Sequence, residues 1–566
     1  MTLRDVVSRR AGAAPWSERA VVGACVVLYL ALSVACGQVW EPTHDEGVTW
    51  FQVLGRLPLA HWPAEPTPIG SSYEVLDGDR SRSAGDVIDA LATGSSMHPP
   101  AYYLLLHWWI GLVGSDRMLL TLPAHIWGVL TLLGLRRLAS RVLPGRRAGL
   151  WAMLLLAVSP WFMGFSNLAR PYSLALCLAV WSLDTALALH RETPQERPRL
   201  GPRISFVLLS IAGLYVIYHY AFVLAWEFGL LLVLAWRARP ARRWRELRSL
   251  AGMGLAVGLG FAPWIPRLLA HLELTGRSVH YFAGRVAPEE WVSATGQLLA
   301  LFALAEAVRS PAMGVMLPAL LLLGVCTLIL ALASLLGSSR GSSDVVSSTF
   351  WISVPLLPAL IIAADLWHNT HTIFITKTCF AFLPILILLV VRGWQYVPIP
   401  SLRWAGLAAW ALLLGTASLS AIHVTATSVI PYEAAARHVR QRDTDSHLVV
   451  LSTPRFSCAT PLVLSLRDAG VRHVRVIAVS GDRLVDLVKS AARSGEFTDL
   501  SLIALDVSCF EKRIWQGPVL QRAAAQARES QWRVIKPGPS GIPRAPPGGP
   551  PTLWILAPLQ VKSFSM

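Results

Sequence analysis

The chain has 566 residues, 54% of them hydrophobic and only 15% charged, with 23 tryptophans and a mean hydropathy of +0.49. That composition excludes a water-soluble globular protein and marks an integral membrane protein. The formal net charge of +16 would suit nucleic acid, but the arginines lie in short loops between apolar runs, which excludes that use.

The amino-terminal stretch Met1 to Ala20 carries Arg4, Arg9, Arg10 and Arg19 but no apolar core, so no cleavable signal is expected and the first run, Val21 to Cys36, reads as an uncleaved anchor. Directly after it stands His44-Asp45-Glu46-Gly47. Two adjacent carboxylates are thus expected at the water-facing mouth of a membrane protein, where one can work as a base between a lipid-linked and a water-soluble substrate. The plainer alternative is a solvated helix end. The segment Glu41 to Pro100 is polar, contains Asp77, Asp79, Asp86 and Asp89, and includes an amphipathic stretch from Asp86 to Ala92 that is expected to lie along the membrane surface.

His98-Pro99-Pro100-Ala101-Tyr102-Tyr103 comes next, its prolines enforcing a non-helical lead-in. The apolar run Ala101 to Val113 is only about 20 Å long as a helix. Counting it as a span would also invert every later basic loop. It reads as a re-entrant or interfacial helix anchored by Trp108 and Trp109, with a short tilted span as the alternative.

Further membrane-length runs are predicted at Met118 to Leu135, Ala148 to Phe165, Tyr172 to Leu189, Ile204 to Tyr218, Phe222 to Trp236, Leu250 to Leu269, Ala312 to Leu336, Val345 to Leu366, Ile373 to Val391 and Trp404 to Val424, about eleven spans in all. Arg136, Arg137, Arg141, Arg146 and Arg147 form one basic cluster, Arg191 to Arg203 a second and Arg237 to Arg248 a third. Every second loop is basic, which puts those loops in the cytoplasm and Asp45 and Glu46 outside. The outer loops then hold Asn167-Leu168-Ala169-Arg170-Pro171-Tyr172, Tyr218-His219-Tyr220 and Trp367-His368-Asn369-Thr370-His371, with Lys377 near the outer end of its span. Each such cation alone is ordinarily a snorkelling anchor. Together, beside two carboxylates, they suit a phosphate held while a base acts on an acceptor.

Residues 425–566 form a second soluble region. Strand-like runs at His447 to Ser452, Val474 to Val479, Leu500 to Val507 and Thr552 to Leu556 alternate with helix-like stretches at Pro431 to Arg440, Pro461 to Ala469 and Asp482 to Ser494, which predicts a small α/β domain with a parallel sheet. A Pro/Gly-rich loop, Pro537 to Pro551, precedes the last strand. Gly470 and Gly481 stand isolated at expected turns, so no phosphate-binding glycine fingerprint is present. Five cysteines lie in spans. Cys458 and Cys509 each follow a predicted strand, and a disulfide between them suits an outer compartment if the pairing distance permits.

Glu41-Pro42-Thr43-His44-Asp45-Glu46, His98 to His107 and Ala169-Arg170-Pro171-Tyr172, in this order, resemble the polyprenyl-phosphate-dependent membrane glycosyltransferases of C-type fold (GT-C), closest to family 39: protein O-mannosyltransferases, aminoarabinose transferases of lipid A and their relatives. The resemblance covers Val21 to Arg392. It implies an α-helical polytopic membrane enzyme in the bacterial cytoplasmic membrane, a polyprenyl-phosphate sugar donor, and a glycan, lipid or protein acceptor met at the outer face. It also implies Asp45 as the base with Glu46 beside it, and Arg170 and Lys377 as holders of the donor phosphate; His98, Tyr102, Tyr172 and His219, on the same outer face, complete the expected substrate-binding set. The chain departs from the family at Thr376-Lys377-Thr378, where many relatives carry Arg-Tyr.

The chemistry asks for the same groups. Cations at Arg170 and Lys377 would stabilise the departing phosphate, ionised Asp45 would take the acceptor proton, and one-step displacement would invert the anomeric centre. The enzyme would be a hexosyl- or pentosyltransferase. Asp45, Glu46, His44 and His98 are suitable ligand types for a divalent metal, but no spacing specifies a site. The alternative classes are a transporter or flippase of lipid-linked anions, to which the long acidic first loop and the absence of internal symmetry are foreign, and a membrane scaffold.

Overall fold

The computed structural model describes residues 18–39, 44–56, 65–76, 82–93, 98–114, 117–145, 147–190, 200–238, 240–278, 322–330, 332–333, 345–368, 380–428, 432–451, 456–479, 481–503, 517–531, 533–535 and 552–556. The protein is an α-helical polytopic membrane protein with a carboxy-terminal α/β unit. The first span is α1 (Glu18–Val39), followed by α2 (His44–Val53). Asp45 and Glu46 occupy the first turn of α2, where free N–H groups and the helix dipole favour anionic side chains. The helix stops at Gly55, whose φ of +64° lets the Arg56 N–H donate to the Phe51 carbonyl at 2.9 Å in a Schellman turn.

Strand β1 (Thr67–Pro68) and helices α3 (Ile69–Leu76) and α4 (Ala84–Thr93) fill the remainder of the first loop, and α5 (Ala101–Val113) follows the two prolines. The apolar face of α4 does not meet lipid as its amphipathicity suggests: Val87 and Leu91 are buried in a core shared with α2 and α5. Helix α5 has 13 residues, too few to cross a bilayer. Tyr102, Tyr103 and Leu106 point inward, while Trp108 and Leu112 are 62% and 82% exposed.

The bundle continues with α6 (Arg117–Val142), α7 (Ala148–Ala157), α8 (Pro160–Asn167), α9 (Tyr172–His190), α10 (Leu200–Val216), α11 (Tyr220–Arg237), α12 (Pro240–Phe261), α13 (Ile265–Ser278), α14 (Val345–Ser353), α15 (Leu356–His368), α16 (Phe382–Gln395) and α17 (Pro400–Ser428). Among the described residues seven helical stretches are long and apolar enough to cross a membrane, or eight with the bent pair α7 and α8. The expected single span Ala148 to Phe165 is this pair, bent by 60°. Pro160 has no N–H for the helical ladder and drives Ser159 to an extended ψ of 126°. Helices α10 and α16, both expected as spans, have 17 and 14 residues, and residues 373–379 of the second expected run lie outside the described residues. Of the expected run Ala312 to Leu336, residues 322–330 are helical and most of the remainder lies outside the described residues. Arginines at the bundle's basic end are neutralised in part by the protein: Arg137 and Arg141 flank buried Asp184 at 2.8 and 2.5 Å, and Arg136 pairs with Glu18.

The carboxy-terminal unit comprises α18 (Tyr432–Arg440), β2 (His447–Leu451), α19 (Phe456–Asp468), β3 (Arg475–Ala478), α20 (Gly481–Ser494), β4 (Asp499–Ile503), α21 (Gly517–Glu529), β5 (Arg533–Ile535) and β6 (Thr552–Leu556). The sheet order is β1-β3-β2-β4-β6-β5, parallel throughout its carboxy-terminal strands; from β2 to β5 the helical crossovers α19, α20 and α21 return the chain in the same direction. Edge strand β1 comes from the first loop and pairs antiparallel, Thr67 opposite Val476. Side chains alternate across the sheet. Val449, Leu451 and Val476 join α18, α19 and the first-loop helices in one core, whereas Leu448, Val450, Ile477, Leu500 and Leu502 meet α20 and α21 in another. Strands β1 and β5 and helix α21 are additions to the predicted pattern. Cys509 lies outside the described residues, so the Cys458–Cys509 pairing does too.

Candidate active site

Three pieces of chain, distant in sequence, meet at the first turn of α2: the turn between α8 and α9, the lead-in to α5, and α2 itself. Pro171 shapes the first of these, since the residue before a proline is kept out of the helical region and the chain can restart as a helix only at Tyr172. Arg170 is carried inward on this turn and is 5% exposed. Its Nη1 donates to the Asp45 carbonyl at 3.2 Å and to Thr49 Oγ1 at 3.0 Å, with Tyr103 Oη at 3.5 Å. Its Nη2 donates to His98 Nε2 at 3.0 Å and stands 3.9 Å from Asp45 Oδ2.

A guanidinium has only donors, so His98 Nε2 must be the acceptor and the imidazole is neutral with its proton on Nδ1. Burial pushes the Tyr103 hydroxyl above its ordinary pKa, which keeps it a neutral partner for the cation. The Asp45 side chain is 31% exposed, buried enough to be held and open enough to meet a substrate. Glu46 Oε1 accepts the Ala169 N–H at 3.0 Å, tying α2 to the turn that carries Arg170.

The sequence-predicted residues divide accordingly. Asp45, Glu46, His98 and Arg170 come together. Tyr102 supports them from behind, its ring edge-on to Tyr103 at 5.4 Å and to Trp127 at 5.9 Å, while its neighbour Tyr103 makes the contact with Arg170. Tyr172 is buried beside Phe165 and its hydroxyl is a further hydrogen-bond partner of Arg170, so it belongs with the cluster. His219 stands at the amino-terminal cap of α11, its ring 6.4 Å from Phe222, on an element that carries no member of the cluster. Lys377 lies outside the described residues. Thr49 and Tyr103 are site residues that sequence reasoning passed over. The signal for Thr49 was its spacing, four residues after Asp45 on a helix.

Beside the cluster lies a groove of about 480 Å³, part of it open solvent, lined by Glu46, Thr49, Trp50, Leu106, Thr460 and Leu464 among others. Its far wall, Thr460 and Leu464, belongs to α19. Among the described residues no group of three or more His, Cys, Asp or Glu side chains is gathered for a metal, and the Arg170 cation close to Asp45 opposes a second cation there. The side chain of His44, one of the four candidate ligands, lies outside the described residues.

No family model matches the sequence, and no curated protein matches it. Solved structures similar to the chain include the oligosaccharyltransferase AglB from Archaeoglobus fulgidus in complex with an inhibitory peptide and a dolichol-phosphate (11% identity, 83% of this chain, 70% of that one, TM-score 0.43). The Archaeoglobus fulgidus oligosaccharyltransferase complex with Zn and sulfate is similar at 12% identity (82% and 69% covered, TM-score 0.45). ArnT from Cupriavidus metallidurans bound to undecaprenyl phosphate is similar at 15% identity (84% and 92% covered, TM-score 0.38).

Proposed function

We propose that this protein is a glycosyltransferase that moves a sugar from a polyprenyl-phosphate donor to an acceptor at the outer face of the bacterial cytoplasmic membrane. The observation that carries this reading is the half-open Asp45 carboxylate, held 3.9 Å from the buried Arg170 guanidinium at the edge of a groove in a multi-span membrane protein. A partly exposed carboxylate fixed by a buried cation is suited to accept a proton, and the neighbouring positive charge suits an anionic leaving group. Asp45 takes the proton of an acceptor hydroxyl or amine as that atom bonds the anomeric carbon. The bond from that carbon to the phosphate oxygen breaks, and its electron pair leaves with the polyprenyl phosphate. A single displacement inverts the anomeric centre, whether the sugar is a hexose or a pentose. Lys377 and the charge of Arg170 offset the negative charge that grows on the phosphate.

In this reading residues 1–424 are the transferase body and residues 425–566 an outer domain that covers the site and receives the acceptor. The test is incubation of the purified protein with a panel of radiolabelled polyprenyl-phosphate sugars. Release or transfer of label from one of them, lost in Asp45→Asn, is the expected result. No turnover with any donor, or undiminished turnover in the variant, overturns the proposal. Movement of intact donor across vesicle membranes without cleavage would instead identify a flippase.

A further inference from the structure

The structure assigns Thr49 as a positioning residue that locks Arg170 onto the Asp45 turn, an inference that rests on the glycosyl-transfer reading. The Thr49 hydroxyl has one proton and donates it to the Asp45 carbonyl one turn earlier at 3.1 Å. Its oxygen then accepts from Arg170 Nη1 at 3.0 Å. The same Nη1 also reaches the Asp45 carbonyl at 3.2 Å, so carbonyl, hydroxyl and guanidinium close a three-membered ring of hydrogen bonds. Thr49 is 1% exposed, and water does not readily replace it as a partner for the cation. Through this ring the guanidinium is fixed to the backbone of the residue whose carboxylate it stands beside.

Glu46 completes the arrangement from the other side through the Ala169 N–H, so the turn 168–171 is fastened to α2 at two points. One fastening sets where the turn lies, and the Thr49 ring sets where the Arg170 head lies. A carboxylate that must meet an acceptor within hydrogen-bond reach loses rate when displaced by an ångström, a loss of about 10²-fold in the strong cases. Thr49 touches neither sugar nor phosphate in this assignment. It acts through Arg170 and Asp45.

The test compares Thr49→Val, which keeps the shape and removes both hydrogen bonds, with Thr49→Ser, which keeps both, in detergent-purified full-length protein turning over the labelled polyprenyl-phosphate sugar that serves as donor. Thr49→Val is expected to lose about 10- to 100-fold in kcat with KM for the donor little changed, and Thr49→Ser to regain most of that rate. In an Asp45→Asn background, Thr49→Val is expected to cost little more, because residues acting as one unit are not additive. A thermal melt of Thr49→Val within a few degrees of the parent separates positioning from folding, and a collapsed melt with Ser equally impaired overturns the assignment. So does a normal kcat in Thr49→Val, or a full additional loss on top of Asp45→Asn. An Asp45→Asn protein that is itself fully active sinks the glycosyl-transfer reading, and this assignment with it. An inactive Asp45→Asn beside a normal Thr49→Val sinks the assignment alone.

Discussion

Asp45 and Glu46 are neighbours in sequence, but a helix turns about 100° per residue, and the two carboxylates take different work. Glu46 bonds the Ala169 N–H, while Asp45 remains partly exposed beside Arg170. Asp45→Asn keeps size and removes the proton acceptor, and a loss of 10²- to 10⁴-fold in turnover is expected. Glu46→Gln keeps an oxygen able to accept from Ala169, so a smaller loss is expected. The reverse ranking in steady-state assays would exchange their roles. Arg170→Lys retains the charge but replaces a planar fork by a single point that cannot serve Thr49, His98 and Asp45 together. A kcat reduced about tenfold or more is expected, and unchanged turnover would reduce Arg170 to an anchor. Asp45, Glu46, His98 and Arg170 were legible in sequence as polar groups at predicted span ends. Their division of labour was not, because it depends on which neighbour in space accepts or donates.

At the scale of elements, α2 is gripped from two sides. Phe51 and Leu54 share a core with Leu462, Val463 and Leu466 of α19 and with Val87 and Leu91 of α4. Gly55 closes the helix with a positive φ, and a Cβ there would stand 2.8 Å from the Asp86 Cβ. Gly55→Ala is therefore expected to cost more than about 1 kcal/mol, read as a lower melting temperature together with reduced turnover. A second element-level device lies between α18, β2 and β4. Arg442 Nη1 donates to His438 Nδ1 at 3.1 Å, and His447 Nδ1 donates to the Arg442 carbonyl at 3.0 Å. That leaves Ser501 to accept from His438 Nε2 at 3.4 Å and to donate to His447 Nε2 at 2.9 Å. Each imidazole has one nitrogen donating and one accepting, so both are neutral.

Burial, with Arg442 and His447 nearby, pushes His438 down to about 3 from 6.5, and burial pushes His447 to about 4. Both groups take up protons on unfolding at pH values where the folded unit does not. Stability thus rises with pH across the interval from the folded pKa values to about 6.5 and is lost as the pH falls through that interval. Asp443, opposed by burial but held down by the His473, Arg472 and Val474 N–H groups, adds a loss in the same direction only below its ordinary carboxylate pKa. The protection of the β2 and β4 amides against hydrogen exchange, taken relative to the intrinsic rate at each pH, is expected to fall from pH 7 to pH 5, and His447→Asn to flatten that dependence. Equal protection at both pH values would contradict it.

Across the whole molecule, the first loop and the carboxy-terminal unit are one body: β1 extends the sheet, and α19 walls the groove beside Glu46. Both must therefore lie on the same side of the membrane, and the proposed function requires that side to be the outer one. Ser71 and Thr444, both exposed, are the positions to test. Cysteines at the two sites are expected to react with an impermeant maleimide in intact cells, and protection of both would invert the topology.

The sequence by itself determined what depends on composition and local period: a polytopic membrane protein, the basic loops, the short α5, and alternating strands and helices that produce a parallel sheet. Apolar length and side-chain periodicity are properties of consecutive residues, so they can be read one segment at a time. Tertiary structure decided what depends on chains meeting. The bend between α7 and α8 is written locally in Ser159-Pro160, yet it was hidden by the uniform apolarity of the run. The capture of Thr67 and Pro68 by the sheet, the burial of the amphipathic face of α4 under protein instead of lipid, and the closing of Thr49, His98 and Tyr103 around Arg170 have no local signature. Each is a long-range pairing, selected because a buried cation must find acceptors and an apolar face must be covered, and no single stretch of the chain contains both partners.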